Sequence, residues 1–434
     1  MSSMKRRRFL TQTTGAVGIG TLLPSSTFAA NKKSYEDEWD ALRDQFLLTK
    51  DKVHMAQFFL ASHPPSVRAA IERYQKAMDQ SPSECWHHEF FEQQEKITAA
   101  AAKYLECDPS EIALTDSTTM GLGILYSGFK LNPGDEILTT THDHYSTVKS
   151  LEFAAAKSGA RVKRIDLYTN SAETTVDEIL SNLKKGINAS TRVVAVTFVH
   201  SISGVKLPIH EMSKVIKEAN ANRDEKERIY FCVDGVHGFG VENITVESLG
   251  CDFMAAGTHK WLYGPRGTGI LWAKKDAWDM VEPIIPPFSQ AYFMWMETMP
   301  ERPLTFYEKI TPGGFHSFEY RWALKEAFEF HLDLGKEKIQ NRTHHLNTMM
   351  KEGMKNIDHV ILHTPMTTTL SSGINSFEIK GIDPEEVVVK LDKAKIIAST
   401  TPYKTIYARL TPCILNSEEE VSYCLKTLED IHSL

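Results

Sequence analysis

The 434-residue chain has no surplus of positive charge. Its 49 Lys and Arg residues stand against 56 Asp and Glu residues, which gives a formal net charge of -7. Nucleic-acid binding needs a concentrated basic face, because contacts to phosphates supply much of the affinity. The composition therefore argues against a nucleic-acid partner and favours a small-molecule ligand.

Closely spaced cysteines are also lacking. The six cysteines are scattered and form no Cys-x-x-Cys pair, so the sequence predicts neither a zinc ribbon nor a disulfide framework. One or two bridges stay open as alternatives in an oxidising compartment. Metal binding by His87, His88, His142 or His144 with Cys85 is disfavoured, because no three of them have ligand spacing. We therefore predict no metal site.

No apolar run is long enough for a transmembrane helix, so no stable membrane anchor is predicted. The first residues instead combine a basic front (KRRRFL), a short apolar middle (TGAVGIGTLL) and a small-residue end (PSSTFAA), which is typical of an export signal. The Arg6-Arg7 pair resembles a twin-arginine signal over 1–30, cleaved after Ala29 or Ala30. It implies contact with the Tat export machinery and a periplasmic or otherwise exported protein. A disordered basic tail is the alternative.

The whole chain is 42% apolar, which is enough to bury a large core. Residues 31–66 are expected to form an N-terminal arm, in which FFLASHPPSV is a short strand and turn because Pro64 and Pro65 exclude helix. A large domain is predicted over 67–312. A smaller C-terminal α+β domain is predicted over 313–434.

Helical and extended segments alternate through the large domain. Runs such as VRAAIERYQKAM and YSTVKSLEFAAAKSG alternate with apolar, β-rich segments such as TRVVAVTFV, RIYFCVDG and CDFMAAG. This alternation predicts an α/β fold with a mostly parallel sheet between helices. The smaller domain is expected to begin with one long helix from YRWALKEAFEF to MKEGMKNI. Ligands of α/β folds bind at the carboxyl ends of strands, so functional residues are expected there.

One strand end carries three hydroxyl residues in the segment DSTTMG, which closes a strand and opens a helix. Ser117, Thr118 and Thr119 would offer hydroxyls and free backbone N–H groups at the positive end of that helix. Such an end suits a phosphate monoester. An ordinary helix cap is the commoner explanation of the same pattern.

Two further strand ends carry an acid and a lysine. Asp234 follows an apolar strand in CVDGVHG, with His237 three positions later, and Lys260 follows the apolar run of CDFMAAGTHK. A phosphate anchor, a buried acid and a strand-end lysine are what pyridoxal 5'-phosphate (PLP) requires. The lysine holds the aldehyde as a Schiff base and the acid keeps the pyridine nitrogen protonated. A lysine in an ordinary ion pair is the alternative.

The motifs together resemble a known family, the class V aminotransferases, which are PLP-dependent enzymes of fold type I. The likeness is carried by DSTTMG, THDHYST, CVDGVHG, GTHKWLYGPRGTGIL and YARLTPCILNSEEEV, and it runs from about residue 59 to the C-terminus. It implies a mostly parallel sheet of the seven-stranded type between helices, with the smaller α+β domain following. Within the family, TFVHSISGVKLPI resembles the isopenicillin N epimerase branch.

The resemblance assigns roles around the cofactor ring. It implies that Lys260 forms the Schiff base, that Asp234 pairs with the pyridine nitrogen and that His237 lies near the phenolic oxygen. His144, in DHYST, matches the histidine that stacks on the ring and counts with Lys260 and Asp234 as catalytic. The register of His144 against His142 stays open.

Further roles concern the phosphate and the substrate. By the resemblance, Ser117, Thr118 and Thr119 hold the phosphate, and Thr258 and His259 add donors on its other side. Ser201 lies near the cofactor. Arg409 matches the arginine that binds a substrate carboxylate, for which a planar two-point grip explains arginine over lysine. A surface ion pair is the alternative for Arg409.

The expected reaction is transamination of an amino acid or related amine, with epimerisation of the isopenicillin N epimerase type second. Cysteine desulfurase is disfavoured, because the stretch KIIASTTPYKTIYAR before Arg409 contains no cysteine and Cys413 lies beyond it. Ser201 also stands where desulfurases carry an asparagine. An exported, catalytically inactive binding protein is the alternative from another class. The presence of Lys260 and Asp234 argues against it.

The family is usually dimeric, so a homodimer is expected. The segment PGGFHSFEY, from Pro312 to Tyr320, is predicted to reach across to the partner subunit. Thr311 or His316 would make the contact.

Overall fold

The computed structural model describes residues 38–434. The predicted export signal lies outside the described residues, as does the first part of the predicted arm. The described chain has thirteen strands. In chain order, β1 to β13 are Val53–His54, Ile112–Thr115, Glu136–Thr140, Arg161–Ile165, Thr191–Thr197, Tyr230–Asp234, Phe253–Gly257, Gly269–Ala273, Val360–Leu362, Asn375–Ile379, Ile396–Ile397, Ser399–Thr400 and Ala408–Leu410.

Fifteen α-helices occur in the same described part. In chain order, α1 to α15 are Glu38–Arg43, Pro65–Gln80, Pro82–Leu105, Thr118–Gly128, Tyr145–Ser158, Val176–Gly186, Ile209–Asn220, Val246–Leu249, Gln290–Trp295, Phe306–Ile310, Phe318–Trp322, Leu324–Leu334, Lys336–Lys355, Pro384–Lys393 and Glu418–Glu429.

A seven-stranded sheet forms the centre of the molecule, in the order β2-β8-β7-β6-β5-β3-β4. The five strands from β7 to β4 are parallel, and β8 runs antiparallel to both of its neighbours. The prediction of a mostly parallel seven-stranded sheet is confirmed. Parallel strands need crossover connections, and the helices between them serve that purpose.

Both faces of this sheet are buried. Val194 and Val196 belong to one hydrophobic cluster, while Val193 and Ala195 on the same strand belong to the other. Because successive side chains of a strand point to opposite faces, an apolar run such as TRVVAVT is stable only between two helical layers. The predicted α/β layering is confirmed.

A smaller antiparallel sheet, in the order β12-β13-β10-β9, lies in the C-terminal part of the chain. Its apolar side chains form a third cluster with those of α13, α14 and α15. Strand β1 of the arm pairs with β11 in a separate parallel ladder, while α11 and α12 pack on α2 and α3. The predicted domain boundary at 312/313 stays a prediction.

Two expectations about local structure are wrong. FFLASHPPSV contains no strand: it begins with a turn, continues without regular structure to Pro64 and enters α2 at Pro65. Pro65 does not exclude helix, because proline is tolerated in the first helical turn, where its missing N–H would have no helical partner. Before the helix, the Ser62 backbone N–H donates to the Gln57 side chain at 2.9 Å. A side-chain acceptor replaces the strand partner there. The single long helix is instead divided into α11, α12 and α13. Gly335 ends α12 with φ of 95°, a left-handed value that breaks the helical path although the apolar periodicity continues.

All six cysteines are free, and four of them are buried. Within residues 38–434, no helix is long and apolar enough to cross a membrane. The same residues contain no group of three His, Cys, Asp or Glu side chains placed to hold a metal ion.

Candidate active site

A cavity of about 210 Å³ opens at the carboxyl ends of the central strands. Parallel strands bring their carboxyl ends to one edge of a sheet, so residues far apart in sequence meet there. The cavity is lined by Phe58, Phe59, Ser117, Thr118, Thr119, His144, Ser146, Thr197, Ser201, Asp234, Val236, His237, His259, Lys260, Pro402 and Arg409. Every predicted site residue except Thr258 is in this set.

Lys260 follows β7 and enters the cavity from a tight turn. Its carbonyl accepts a hydrogen bond from the Tyr263 N–H at 3.1 Å, and Tyr263 has a left-handed φ of 57°. Burial lowers the pKa of the Lys260 ammonium to about 8, against the attraction of Asp234 and with the repulsion of Arg409. No described residue hydrogen-bonds its Nζ. The amine is therefore available to react, and a large fraction is neutral near pH 8.

Asp234 ends β6 and is 1% exposed. One carboxylate oxygen accepts from the Thr147 hydroxyl at 3.1 Å and the other from the Val236 N–H at 3.2 Å. No described cation forms an ion pair with it. Burial raises the pKa of Asp234 to about 6. A buried carboxylate without a counter-ion is costly, so this one is suited to a cationic ligand group.

The start of α4 supplies donors at another wall of the cavity. Ser117 caps the helix by accepting from the Met120 N–H at 3.1 Å, and the Thr118 hydroxyl accepts from the Gly257 N–H at 2.7 Å. Each hydroxyl keeps its own proton to donate. With the N–H groups of the first helical turn, they form a site for a dianion.

Thr258 does not contribute to this site. It is fully buried, and its hydroxyl is hydrogen-bonded to that of Thr268 at 2.6 Å. The neighbouring His259 lines the cavity. Thr258 is held away from the cavity by its bond to Thr268 and by the backbone bond from its N–H to the Thr268 carbonyl at 3.1 Å, so the expectation that both residues would face the phosphate is corrected for Thr258.

The two histidines of THDHYST lie in different surroundings. His144 is the N-cap of α5 and lines the cavity. Burial, together with Lys260 and Arg409, lowers its pKa to about 4, so the ring is neutral and can lie on a cationic ring without repulsion. His142 instead stacks on Tyr168, with ring centroids 3.9 Å apart.

Arg409 lies on β13 and brings the small sheet to the cavity. Its guanidinium donates to the Ser201 carbonyl at 2.9 Å, the Thr400 carbonyl at 2.6 Å and the Ser399 hydroxyl at 3.2 Å. It also lies over the ring of Phe58, 4.7 Å from the centroid. Three of its five N–H groups are used, which leaves two for a carboxylate ligand.

Several lining or supporting residues were not predicted. The Ser201 hydroxyl is hydrogen-bonded to the hydroxyl of Tyr403 at 2.6 Å, and Phe58 and Phe59 of the arm form part of the cavity wall. Tyr403 lies in the loop before β13, in a stretch that drew attention only through its lack of cysteine. Thr147 donates a hydrogen bond to Asp234. Its position three residues after His144 did not indicate this role in the sequence.

The residues expected to reach the partner subunit contact their own chain. The Thr311 hydroxyl accepts from the Leu114 N–H at 3.1 Å, and His316 lies 3.5 Å from Asp116. Phe315, between them, is 77% exposed. Phe315 is thus an exposed aromatic side chain of this segment, and its ring also packs against Trp86 and Phe288.

A family model described as "Aminotransferase class-V" matches residues 61–403. This match covers more than three quarters of the chain. It starts in the arm and ends in the loop before β13, so it includes Lys260, Asp234 and the anion site.

Curated relatives carry the name of another reaction. A probable cysteine desulfurase from Xylella fastidiosa is 26% identical over 374 residues, which cover 82% of this chain and 84% of that protein. A probable cysteine desulfurase from Pyrococcus abyssi is 25% identical over 354 residues, with 78% and 82% covered.

Solved structures show the same fold. A cysteine desulfurase from Thermococcus onnurineus has a TM-score of 0.76 at 22% identity, with 91% of this chain and 98% of that chain covered. The cystine C–S lyase C-DES, solved with its product cysteine persulfide, has a TM-score of 0.78 at 20% identity, with 88% and 98% covered.

These findings overturn the expected reaction. The expected ranking placed transamination first and epimerisation second and disfavoured cysteine desulfurase. This ranking was wrong, because the relatives that match over most of their length are named cysteine desulfurases. The expectation gave too much weight to the missing cysteine before Arg409.

Proposed function

The chain belongs to the class-V aminotransferase family of PLP-dependent enzymes, and we propose that it cleaves the carbon–sulfur bond of cysteine or a closely related sulfur amino acid. The observation that carries the proposal is the likeness to proteins named cysteine desulfurases over 82% of this chain. The further likeness to the isopenicillin N epimerase branch stays a prediction from the motifs.

The residues of the cavity fit PLP. Asp234, buried and without a counter-ion, suits the pyridine nitrogen, and the neutral ring of His144 suits the face of the heterocycle. The hydroxyls of Ser117 and Thr118 at the start of α4 suit the phosphate. Lys260 is the amine that would hold the aldehyde. The four groups line one cavity, as a single ligand requires.

The substrate carboxylate is assigned to Arg409. Its two remaining N–H groups can form the paired hydrogen bonds that a carboxylate accepts, and the three bonds it already makes fix the plane of the guanidinium. Burial lowers the pKa of Arg409 to about 10, so the group stays charged at neutral pH. An amino acid held in this way would share the cavity with Lys260.

The chemistry then rests on two side chains. When bound, PLP supplies an electron-poor ring that takes up the negative charge developing at Cα. Asp234 holds the proton on the pyridine nitrogen that makes this possible. The Nζ of Lys260, whose pKa burial lowers to about 8, takes the proton from Cα when it is in its neutral form.

Sulfur leaves without a protein nucleophile. No cysteine lines the cavity, and burial raises the pKa of all six thiols, with Cys413 at about 11 and Cys107 at about 12. A thiol with such a pKa is not a nucleophile at neutral pH. We therefore favour elimination, in which the Cα–H and Cβ–S bonds break and the electron pair leaves with the sulfur. L-Cysteine and water then give pyruvate, ammonia and hydrogen sulfide.

Product analysis tests this proposal. The holoenzyme is incubated with L-cysteine or L-cystine, with Lys260→Ala as the matched control. Elimination predicts pyruvate and ammonia in equal amounts, with sulfide from cysteine or a persulfide from cystine. Alanine formed with an added thiol would retain carbon–sulfur cleavage but overturn elimination. No release of sulfur from either compound would overturn the proposal.

A homodimer is proposed on the basis of an exposed apolar surface. Ile284, Phe288, Trp295 and Met296 are exposed on one segment, and Phe315 contacts Phe288 with ring centroids 6.0 Å apart. Exposed patches of this kind mark interaction surfaces. Light scattering should give a dimer for the wild type and a monomer for Trp295→Glu. A monomeric wild type would contradict this assignment.

Export is proposed from the sequence over 1–30. The support is the basic front with Arg6-Arg7, the short apolar middle and the small-residue end. Replacing both Arg6 and Arg7 by Lys keeps the charge and should block export and processing, whereas Lys5→Arg should not. An unprocessed wild-type protein found only inside the cell would contradict the proposal.

A further inference from the structure

A hydrogen bond joins the two motifs that carry Lys260 and Asp234. The indole N–H of Trp261, the residue after Lys260, donates to Nδ1 of His237 at 3.2 Å. Trp261 is 3% exposed and His237 is 5% exposed. The contact is thus fixed within the protein core, one residue away from the reactive amine.

This contact determines where the imidazole carries its proton. A neutral imidazole has one N–H and one acceptor nitrogen, and an indole can only donate. Because Nδ1 accepts from Trp261, the proton lies on Nε2. Burial lowers the pKa of His237 far below its usual value, and Lys260, Arg409 and His144 lower it further, so the ring is neutral at physiological pH.

The protonated nitrogen belongs to a ring that lines the cavity. His237 forms part of the same wall as Lys260 and Asp234, while its other nitrogen is taken by Trp261. The ring of Phe58 lies 5.5 Å from that of His237 and 6.1 Å from that of Trp261. Packing by Phe58 restrains both rings and keeps the hydrogen bond aligned.

We propose that Trp261 is a positioning residue whose indole N–H holds His237 in the Nε2–H form, so that His237 donates a hydrogen bond to the phenolic oxygen of PLP at Lys260. The inference concerns the cofactor and goes beyond the proposed reaction. It holds whichever sulfur compound is the substrate.

The expected consequence is a change in the acidity of the lysine-bound cofactor. A hydrogen-bond donor at the phenolic oxygen stabilises the negative charge of that oxygen. The stabilisation is larger after the proton shared with Nζ has been lost than before. It therefore lowers the pH midpoint of the absorbance change of the bound cofactor. Loss of one hydrogen bond should raise this midpoint by roughly half a unit to one unit.

The tautomer can be measured directly in the unaltered protein. Nitrogen-15 NMR of histidine-labelled wild type, with the His237 signals assigned by their absence in His237→Gln, should show Nδ1 without a proton and Nε2 with one. The pattern should hold with and without PLP. A proton on Nδ1 would overturn the proposal without any further variant.

Absorbance titration of variants tests the consequence. Trp261→Phe keeps an aromatic ring and removes the N–H, and it should raise the midpoint. The matched control is Trp272→Phe. Trp272 lies on β8, outside the cavity, and its indole N–H donates to Glu111 at 3.1 Å. Removing that N–H should leave the midpoint unchanged. Equal midpoints for the wild type and a PLP-loaded Trp261→Phe would overturn the proposal.

Two further variants separate positioning from general disruption. A Cβ at Gly373 would lie 2.5 Å from the Trp261 ring, so Gly373→Ala should displace the indole and raise the midpoint as Trp261→Phe does. This variant replaces Trp261→Phe if the latter does not fold. In a His237→Gln background, the amide donates without any tautomer to be set, so Trp261→Phe should cause no further shift. If Trp261→Phe still raised the midpoint in that background as much as it does in the wild type, the proposal that Trp261 acts through His237 would be contradicted.

Discussion

Lys260 and Lys351 are both buried lysines whose pKa is lowered to about 8, but the regions around them are built differently. Lys351 lies on α13 in the C-terminal part and is 1% exposed. Its ammonium donates to the carbonyls of Pro365 at 3.0 Å and Met366 at 2.9 Å, and to the hydroxyl of Ser371 at 2.5 Å. All three donor protons are used.

The active-site region leaves its lysine without such partners. No described residue accepts a hydrogen bond from the Nζ of Lys260, which opens onto the cavity shared with Asp234. A lowered pKa marks both positions, because burial acts on both. It is the unused donor capacity next to a cavity that distinguishes a reactive lysine from one that supports the fold.

The comparison predicts its largest effect at Lys260. Lys260→Ala should reduce the rate of sulfur release by roughly a thousandfold or more, because the variant loses both the covalent anchor and the group that takes the Cα proton. Thermal unfolding should change little, since no hydrogen bond is lost. Steady-state kinetics and calorimetry measure the two effects.

Chemical labelling extends that prediction to both lysines. Borohydride reduction of the holoenzyme, followed by peptide mass spectrometry, should find the cofactor on Lys260 and not on Lys351. Equal labelling of both, or a fully active Lys260→Ala, would remove the distinction between the two regions.

The second lysine should show the opposite response. Lys351→Met keeps the length of the side chain but leaves two buried carbonyls and a hydroxyl without their donor, which should lower the free energy of unfolding by about 2–4 kcal/mol. The turnover number should stay within about twofold, because the site is not part of the cavity. Urea unfolding and kinetics check both. A large loss of turnover without loss of stability would contradict the structural role.

Asp234→Asn tests the group that faces Lys260. It should lower kcat/KM about a hundredfold, because a neutral amide no longer holds the pyridine nitrogen in its protonated state. The same substitution should increase the stability of the cofactor-free protein. Kinetics and urea unfolding of the same preparation measure both.

The sign follows from the raised pKa of about 6 for the Asp234 carboxyl. The unfolded chain releases this proton near pH 4 and the folded protein near pH 6, so the carboxyl costs the native state about 3 kcal/mol by the time pH exceeds 6. The Asn variant should therefore gain relative stability between pH 4 and 6. An equal difference at both pH values would show that the carboxyl is not desolvated.

The sequence predicted the fold and the main site because both depend on local patterns. Apolar runs such as that of β5 indicate a strand buried on both faces. Since parallel strands end at one edge, Lys260, Asp234 and Ser117 could be assigned to one cavity without knowing the strand order. The helix break at Gly335 could also have been predicted, because a glycine often ends a helix. It was missed because the apolar periodicity continues across it.

Other parts of the site depend on tertiary contacts between distant residues. Ser201 meets Tyr403 across 202 positions, and Thr147 meets Asp234 across 87; no spacing rule pairs them. The placement of Thr258 away from the cavity depends on its hydrogen bond to Thr268. The expected ranking of reactions was wrong because a missing cysteine was taken as evidence against likeness to the desulfurases, although the elimination proposed here would need none.

The smallest expected effect concerns the pH at which Lys260 becomes reactive. Attachment of PLP to the cofactor-free protein needs a neutral amine, so its rate should rise with pH and level off above about pH 8 rather than continue toward the ordinary lysine value of 10.5. Asp234 raises the pKa of Lys260, so Asp234→Asn should shift the midpoint to lower pH. Lys351→Met should leave it unchanged, because that lysine has the same pKa but no access to the cavity. Stopped-flow absorbance measures the rates, and a rise that continues unchanged beyond pH 9 would show that Lys260 is not desolvated before the cofactor binds.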